Sequence, residues 1–389
     1  MIIRSKTLQI EESLQVFPAI AIVGARQVGK TTLVRSMLGK LPGESVYLDL
    51  ERPSDLDKLQ NAELFLQLNR NKRIIIDEVQ RKQELFPLLR YEIDKDRRPG
   101  RFILLGSSSP ELLHHSSESL AGRLEYIHLN PFTVQEVGAE NWERLWLRGG
   151  FPESFLSTSD NRSFQWLQAF LRTLTARELP ALGLSLTSLD ISRLLTMVAH
   201  HHGQTTNASQ LAKSLGVSQP TIKKTIDFLE QAFVLTRLPP WHTNAKKRIV
   251  KSPKVYVHDT GMLHTLLGIE TMDSLLGHPV SGFSFEGFVI RQLIEPLPRS
   301  FEAFFYRTQD GTECDLVITK NYQVEACIEI KLTTRPTITK AMRMAMADLK
   351  PKYMYIVTPL DGDYFLDEKI QVVGLRQLSR ISNGLMNKT

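Results

Sequence analysis

The chain has 389 residues, 42% of them hydrophobic and 23% charged, enough to bury two or three cores of the usual ~100–200 residues each, which excludes a disordered or fibrous protein. Lys plus Arg is 48 against 42 Asp plus Glu, and the net charge of +6 permits a polyanionic partner without requiring one. Cys314 and Cys327 are too few for a disulfide scaffold or a four-thiolate zinc site, and they fit a reducing compartment. The apolar runs fall far short of the ~20 residues that cross a bilayer, and the opening MIIRSKTLQI lacks the apolar stretch of a secretory signal. A cytoplasmic protein with no membrane partner is expected.

From Ala19 to Leu129, short β-type runs (AIAIV, SVYLDL, RIIIDE, RFILLG, LEYIHL) alternate with helical stretches such as Thr31 to Leu38 and Gln83 to Ile93. This alternation predicts an α/β fold, a parallel sheet with helices on both faces. Around Gly149, Gly150 and Pro152 the strand pattern gives way to helical spacing that lasts to about Leu238. Within it, ASQLAKSLGVSQPTIKKTIDFLE (208–230) reads as helix, turn at Gly216 and Ser218, then a helix with Ile222, Ile226 and Leu229 on one face. That is a helix-turn-helix pattern, and AFVLTRL after it suggests a wing. Beyond Pro239 and Pro240 a third region is predicted to hold a helix near Phe285 to Ile294. Strands near Glu302 to Tyr306, Cys314 to Ile318 and Ala326 to Leu332 follow, then a further helix and a strand at YMYIV. Three domains are expected, at 1–147, 148–250 and 251–389.

Gly24-Ala25-Arg26-Gln27-Val28-Gly29-Lys30-Thr31 is G-x-x-x-x-G-K-T, between an apolar strand and a helical stretch that continues with Thr32. In that context the glycines let backbone N–H groups and the helix N-terminus face phosphate oxygens. Lys30 reaches the β and γ phosphates of ATP and the Thr31 hydroxyl ligates Mg2+. The strand Ile74-Ile75-Ile76 ends in Asp77 and Glu78. Asp77 suits the Mg2+ shell, and Glu78 the orientation and deprotonation of an attacking water, which favours hydrolysis over binding alone. The next strand ends in Gly106, Ser107, Ser108 and Ser109, hydroxyls positioned to sense a γ-phosphate or simply to make a polar loop. Ser107 stands for the site, and the sequence does not decide among the three serines. Arg123 is either a surface arginine or a positive charge offered to a neighbouring subunit's transition state.

GARQVGKTTL, IIIDE, ILLGSSSPELL and ESLAGR, in this order and spacing, resemble the prokaryotic AAA+ P-loop ATPases that carry a winged-helix segment and a restriction-endonuclease-like C-terminal domain of unassigned role. The likeness continues through RGGFPE, VYVHDTGMLHTLLG (with Asp259 and Gly261) and FEGFVIRQL, so it spans nearly the whole chain. It implies a five-stranded ATPase core and a ring-like or paired homo-oligomer in which Arg123 acts in trans.

In the third region, Asp315 lies in ECDLVI, and Glu329 and Lys331 lie in IEIK. Residues two apart on a strand share a face, so Glu329 and Lys331 point together and Asp315 on a neighbouring strand can join them. The spacing matches the PD-(D/E)xK nuclease pattern, with Glu313 and Cys314 rather than proline before the aspartate. Asp315, Glu329 and, from the preceding helix, Glu286 would hold a second Mg2+ or Mn2+, while Lys331 positions a water for phosphodiester cleavage. Solvated strand faces are the alternative.

Lys223 and Lys224 on the second helix-turn-helix helix, and the cluster Lys246, Lys247, Arg248, Lys251 and Lys254, suit phosphate contacts as well as ordinary solvation. His200, His201 and His202 occupy consecutive helical positions that cannot converge on one ion, and Cys327 reads as a small buried residue. The expected function is a Mg2+-dependent ATPase coupled to a nuclease-like domain that binds nucleic acid, DNA before RNA, with its cleavage left open by the sequence. The alternative is an ATP-driven switch whose C-terminal domain recognises nucleic acid or protein without catalysis. A protein-remodelling ATPase without a nucleic-acid partner stands third.

Overall fold

The computed structural model describes residues 2–107, 120–242 and 250–386. Contacts gather the chain into two units, Met1–Pro131 with Asp227–Val234, and Phe132–Ile226 with Leu235–Thr389.

The first unit is built on strands β1 (Ala19–Val23), β2 (Ser45–Asp49), β3 (Arg73–Asp77), β4 (Phe102–Gly106) and β5 (Leu124–His128). All pairings are parallel and the order is β2-β3-β4-β1-β5. Every residue of AIAIV and FILLG is buried, as expected of central strands covered on both faces. Because β4 lies between β1 and β3, the carboxyl ends of these three strands open side by side, the usual place for a ligand in such sheets. The helix Lys30–Leu38 follows β1 and buries Leu33, Val34 and Met37 at helical spacing. The helix expected at Gln83 to Ile93 is the helix Leu85–Lys95, preceded by a 3-10 turn at Val79–Lys82. Arg101, fully buried ahead of β4, donates to the Glu92 carbonyl at 2.7 Å and to its carboxylate at 2.6 Å, which ties that helix to the sheet.

The second unit begins with helices, among them Trp142–Arg148, Asp160–Thr173, Ser188–His200 and Ala208–Leu215. Gly216 closes the last of these with φ 68°, and the helix Gln219–Gln231 starts a few residues on. Strands β6 (Gln204–Thr205), β7 (Leu235–Leu238) and β8 (Lys254–Val257) form a small antiparallel sheet in the order β6-β8-β7.

A larger mixed sheet holds β9 (Phe301–Arg307), β10 (Glu313–Lys320), β11 (Gln323–Ile330), β12 (Tyr353–Thr358), β13 (Asp363–Asp367) and β14 (Ile370–Gly374), in the order β13-β14-β12-β11-β10-β9. The helix Lys340–Leu349 bridges β11 and the parallel β12, packing Met342, Ala345 and Leu349 over Tyr306, Cys314, Val317 and Cys327. Both cysteines are core residues. The hairpin β13–β14 is absent from the sequence reading because DYFLD, on the sheet edge, is mostly exposed and lacks a buried face.

Two segments of the sequence resemblance meet in this unit. Asp259, buried, accepts the Gly150 N–H on Oδ2 at 2.7 Å and the Met262 N–H on Oδ1 at 3.1 Å, capping the helix Thr260–Leu266. Gly149 has φ 73°, and a methyl there would lie 2.0 Å from Asp259 Oδ1. Only glycine fits, so RGG and HDTG are read as a structural clasp.

Candidate functional site

The loop after β1 turns under tight steric limits. A methyl on Gly24 would lie 2.1 Å from the Leu129 carbonyl oxygen, and Gly29 takes φ 98°, a region that favours glycine. Gln27 also adopts a positive φ, 59°. Ala25 and Val28 are buried and fix the loop to the core, while the Arg4 guanidinium donates to the Val28 carbonyl at 2.9 Å. The helix starts at Lys30, which leaves its first N–H groups facing the loop. Thr32 is exposed on that first turn.

Lys30 is buried and its ammonium donates to the loop's own carbonyls, Gly24 O at 2.8 Å and Ala25 O at 2.9 Å. Burial brings its pKa down to about 8, against the opposing pull of Glu78 and Asp77. Thr31 Oγ1 donates to Asp77 Oδ2 at 2.6 Å, and the Tyr47 hydroxyl donates to the same oxygen. Burial first, and then this bond to Asp77, hold the Tyr47 phenol well above its ordinary pKa. The Arg35 guanidinium lies 4.8 Å from the centre of the Tyr47 ring.

Glu78 follows β3 with φ 56°, a strained setting for a non-glycine residue and one found at functional sites. Its Oε2 accepts from Ser107 Oγ at 3.2 Å and from the Gln80 amide, which also donates to Ser107 Oγ at 2.9 Å. Arg26 reaches Glu51 at 3.1 Å and stands 4.0 Å from Glu78. Thus the three strand ends bring Lys30, Thr31, Asp77, Glu78 and Ser107 together. Ser108 and Ser109 lie outside the described residues. Arg123 makes a bidentate pair with Asp94, at 2.7 and 2.9 Å.

The donor set at this loop, a threonine hydroxyl beside a carboxylate under a helix N-terminus, fits a triphosphate and its hard, oxygen-seeking magnesium ion. Tyr47 and Gln80 were missed in the sequence. Tyr47 sits inside an ordinary β run, and nothing in SVYLDL tells that its hydroxyl meets the acid of the adjacent strand.

In the second unit, Asp315, Glu329 and Glu286 do approach one another, with a further acid, Glu313, and a lysine from outside the pattern. The register of β10 against β9 shifts between Cys314 and Val317, the kind of irregularity that re-aims a side chain beside a site. Asp315 Oδ2 accepts the Ile330 N–H at 2.8 Å, and Lys331 pairs with Glu329 at 2.7 Å. Lys254, opening β8, places its ammonium 2.9 Å from Glu286 Oε1, 2.9 Å from Glu313 Oε1 and 3.8 Å from Asp315 Oδ1. The Tyr256 hydroxyl adds a bond to Glu286 Oε1 at 2.6 Å. Burial, then the charge of Asp315, push both Glu286 and Glu329 up to about 7. Burial works against the charged form of Lys254, but Glu286, Asp315 and Glu313 outweigh it and raise its pKa.

The residues present do not fit the second metal ion suggested by the sequence. A lysine ammonium already lies against two of the acids, and among the described residues no three His, Cys, Asp or Glu side chains are grouped to hold an ion. Lys254 was read with Lys251 as part of a solvent-facing basic cluster. Lys251 is exposed, Lys254 is buried, and Lys246, Lys247 and Arg248 lie outside the described residues. The sequence signal was the period of KVYV, which sets Lys254 and Tyr256 on one strand face. Lys223 and Lys224 are exposed on their helix. His200 and His201 are exposed, whereas His202 is buried and accepts the Val257 N–H at 3.0 Å.

Among the described residues, no helix is long and apolar enough to cross a membrane. Residues 16–138 match the family described as AAA domain. Residues 139–273 and 281–378 match two families described as domains of unknown function, DUF8612 and DUF4143. Among solved structures, the chain is similar to the Walker-type ATPase PABY2304 of Pyrococcus abyssi, with 16% identity, 69% of this chain and 96% of that chain covered, and a TM-score of 0.48. It is also similar to an arginine variant of Thermotoga maritima RuvB, with 20% identity, 61% and 90% covered, and a TM-score of 0.32. Two mycobacterial relatives, the uncharacterized proteins Rv2008c of Mycobacterium tuberculosis and Mb2031c of Mycobacterium bovis, are each 39% identical over 375 residues, 96% of this chain and 84% of theirs. At that identity and coverage, and with an AAA-type P-loop ATPase domain at its head, the chain belongs to the family of Rv2008c and Mb2031c.

Proposed function

We propose that the protein is a magnesium-dependent ATP hydrolase of AAA type whose C-terminal portion recognises nucleic acid. The observation that carries the first half is the meeting of Lys30, Thr31, Asp77 and Glu78 at adjoining strand ends, with Thr31 and Asp77 in direct contact at 2.6 Å. Lys30 exchanges its loop carbonyls for the β and γ phosphates, and the first N–H groups of the helix bind phosphate oxygens. Thr31 and Asp77 would hold magnesium, which when bound offsets the phosphate charge. Glu78, steadied by Ser107 and Gln80, orients the attacking water and takes its proton. In a homo-oligomer, Arg123 would leave Asp94 to face the nucleotide of the next subunit. The test is Lys30→Ala, which removes the phosphate contact. Steady-state phosphate release should vanish in it, and normal turnover would refute the assignment.

The division at 1–147, 148–250 and 251–389 gives the second half its parts. The helix-turn-helix around Gly216, followed by β7 and β8, supports a winged-helix reading, and its exposed Lys223 and Lys224 suit phosphate contacts. The mixed sheet bearing Asp315 and Glu329 on neighbouring strands, with Lys331 just past the end of β11, supports a nuclease-like ancestry. The Lys254 ammonium among its acids favours recognition over metal-dependent cutting. Gel assays on supercoiled and single-stranded substrates, with Mg2+ or Mn2+, separate the two. Salt-sensitive binding without cutting supports this reading. Metal-dependent cutting that disappears in Glu329→Ala establishes cleavage at this centre instead, and the absence of salt-sensitive DNA binding leaves a protein partner.

A further inference from the structure

We propose that Lys254 is the resident cation of the C-terminal carboxylate centre, standing where a divalent ion would sit and making the group of Glu286, Glu313, Asp315 and Glu329 independent of metal. The inference rests on the reading of this portion as nuclease-like and deepens it by naming what has replaced the ion.

The side chain of Lys254 is 3% exposed, and its Nζ lies 2.9 Å from one oxygen each of Glu286 and Glu313 and 3.8 Å from Asp315. An ammonium carries three donors and no acceptor, so it can serve several carboxylates at once as a small cation does. One oxygen of each of three acids is engaged, while Glu329 Oε2 is buried without a hydrogen-bond partner. Glu286 Oε1 takes both Lys254 and the Tyr256 hydroxyl, Asp315 Oδ2 takes the Ile330 N–H, and Glu329 Oε1 takes Lys331. A hard divalent ion gathers about six or more oxygens, and one entering here would also meet a fixed positive charge within bonding reach of its ligands.

The ammonium is delivered by rigid backbone. Lys254 is paired with Thr205 of β6 and with Leu238 of β7. The chain on either side of residues 243–249 is bonded to β9. Phe305 donates its N–H to the Pro239 carbonyl at 3.0 Å, Trp241 donates to the Phe305 carbonyl at 2.7 Å, and Val250 donates to the Arg307 carbonyl at 3.0 Å. The Phe305 ring lies 5.5 Å from Lys254 Nζ and adds a cation–π contact. Lysine at this point is therefore a fixture shared by two sheets of one unit.

The test is titration calorimetry of the full-length, nucleotide-free chain with Mn2+ alone, in an Asp77→Asn background that removes the acid at the end of β3 in the ATPase site. The chain with Lys254 intact is expected to take up no Mn2+ at the centre. Lys254→Met should gain a saturable site, at least about tenfold tighter than any residual uptake, and lose it again when Asp315→Asn is added. Uptake by the Lys254 chain that Asp315→Asn abolishes overturns the proposal, and so does a folded Lys254→Met chain that gains nothing. Should Lys254→Met not fold, Lys254→Met with Glu313→Gln keeps three acids and lowers their repulsion. Its melting temperature should then rise with Mn2+, and a temperature indifferent to Mn2+ overturns the proposal. ATP hydrolysis and DNA binding, measured separately, report on the broader reading whichever way the metal titration falls.

Discussion

His264 sits in a closed hydrogen-bond chain that only its neutral form completes. Trp146 Nε1 donates to Ser284 Oγ at 3.0 Å, Ser284 shares a 2.7 Å bond with His264 Nε2, and His264 Nδ1 meets the Leu147 carbonyl at 2.8 Å. The carbonyl requires a proton on Nδ1, which leaves Nε2 to accept from the serine. Burial takes the His264 pKa from 6.5 down to about 4, and burial with the neighbouring His264 charge takes His202 from 6.5 to about 3. With folded values below the unfolded ones, these two histidines bind more protons in the unfolded chain as pH falls below about 6.5, so their contribution to stability is full above that value and is lost below it, while Glu286 and Glu329, raised to about 7, act in the opposite sense. At about pH 5 the linkage relation gives about 2 kcal/mol of loss for each histidine, about 4 kcal/mol together. All four tryptophans (Trp142, Trp146, Trp166 and Trp241) lie in the second unit, so tryptophan fluorescence during urea unfolding reads that unit selectively. His264→Gln retains one donor and one acceptor but cannot charge, so its change in stability between about pH 7.5 and 5 should be about 2 kcal/mol less unfavourable than the parent's, the contributions of Glu286 and Glu329 being common to both. An equal loss in both proteins, or an imidazole at His264 that titrates near 6.5 by NMR, refutes the reasoning.

Glu78→Gln should bind nucleotide with unchanged affinity and hydrolyse it about 100- to 10,000-fold more slowly, the usual scale for a lost general base; phosphate release within a few-fold of the parent would remove Glu78 from that role. Gly24→Ala pushes a methyl to 2.1 Å from the Leu129 carbonyl, so nucleotide binding should be lost and stability reduced by about 1–3 kcal/mol, as read by fluorescent-nucleotide titration and thermal melts. Tyr47→Phe deletes one of two donors on Asp77 Oδ2, and should lower nucleotide-free stability by about 1 kcal/mol while changing the magnesium concentration needed for half-maximal nucleotide binding. An unchanged magnesium requirement would make Tyr47 a purely structural residue.

Local order in the sequence accounts for the ATPase domain. AIAIV, the glycine-bounded loop and the helix that starts at Lys30 are neighbours along the chain, and the proposed phosphate cradle is made by that same stretch. RIIIDE announces its acids because a buried strand ends where its charges begin. Sheet order and side-chain convergence are different in kind, since they depend on which distant strands pair. Only pairing brings Tyr47 onto Asp77, sets Ser107 and Gln80 on Glu78, and clamps Arg123 to Asp94. The C-terminal centre makes the same distinction more sharply. IEIK and ECDLVI display their carboxylates at strand period. The charge that answers them comes from Lys254, far away in sequence and written among basic residues that look like a solvated linker. Periodicity reports which face a side chain takes, because backbone geometry is local. The partner waiting on that face is fixed by long-range packing, where a buried charge must find its opposite.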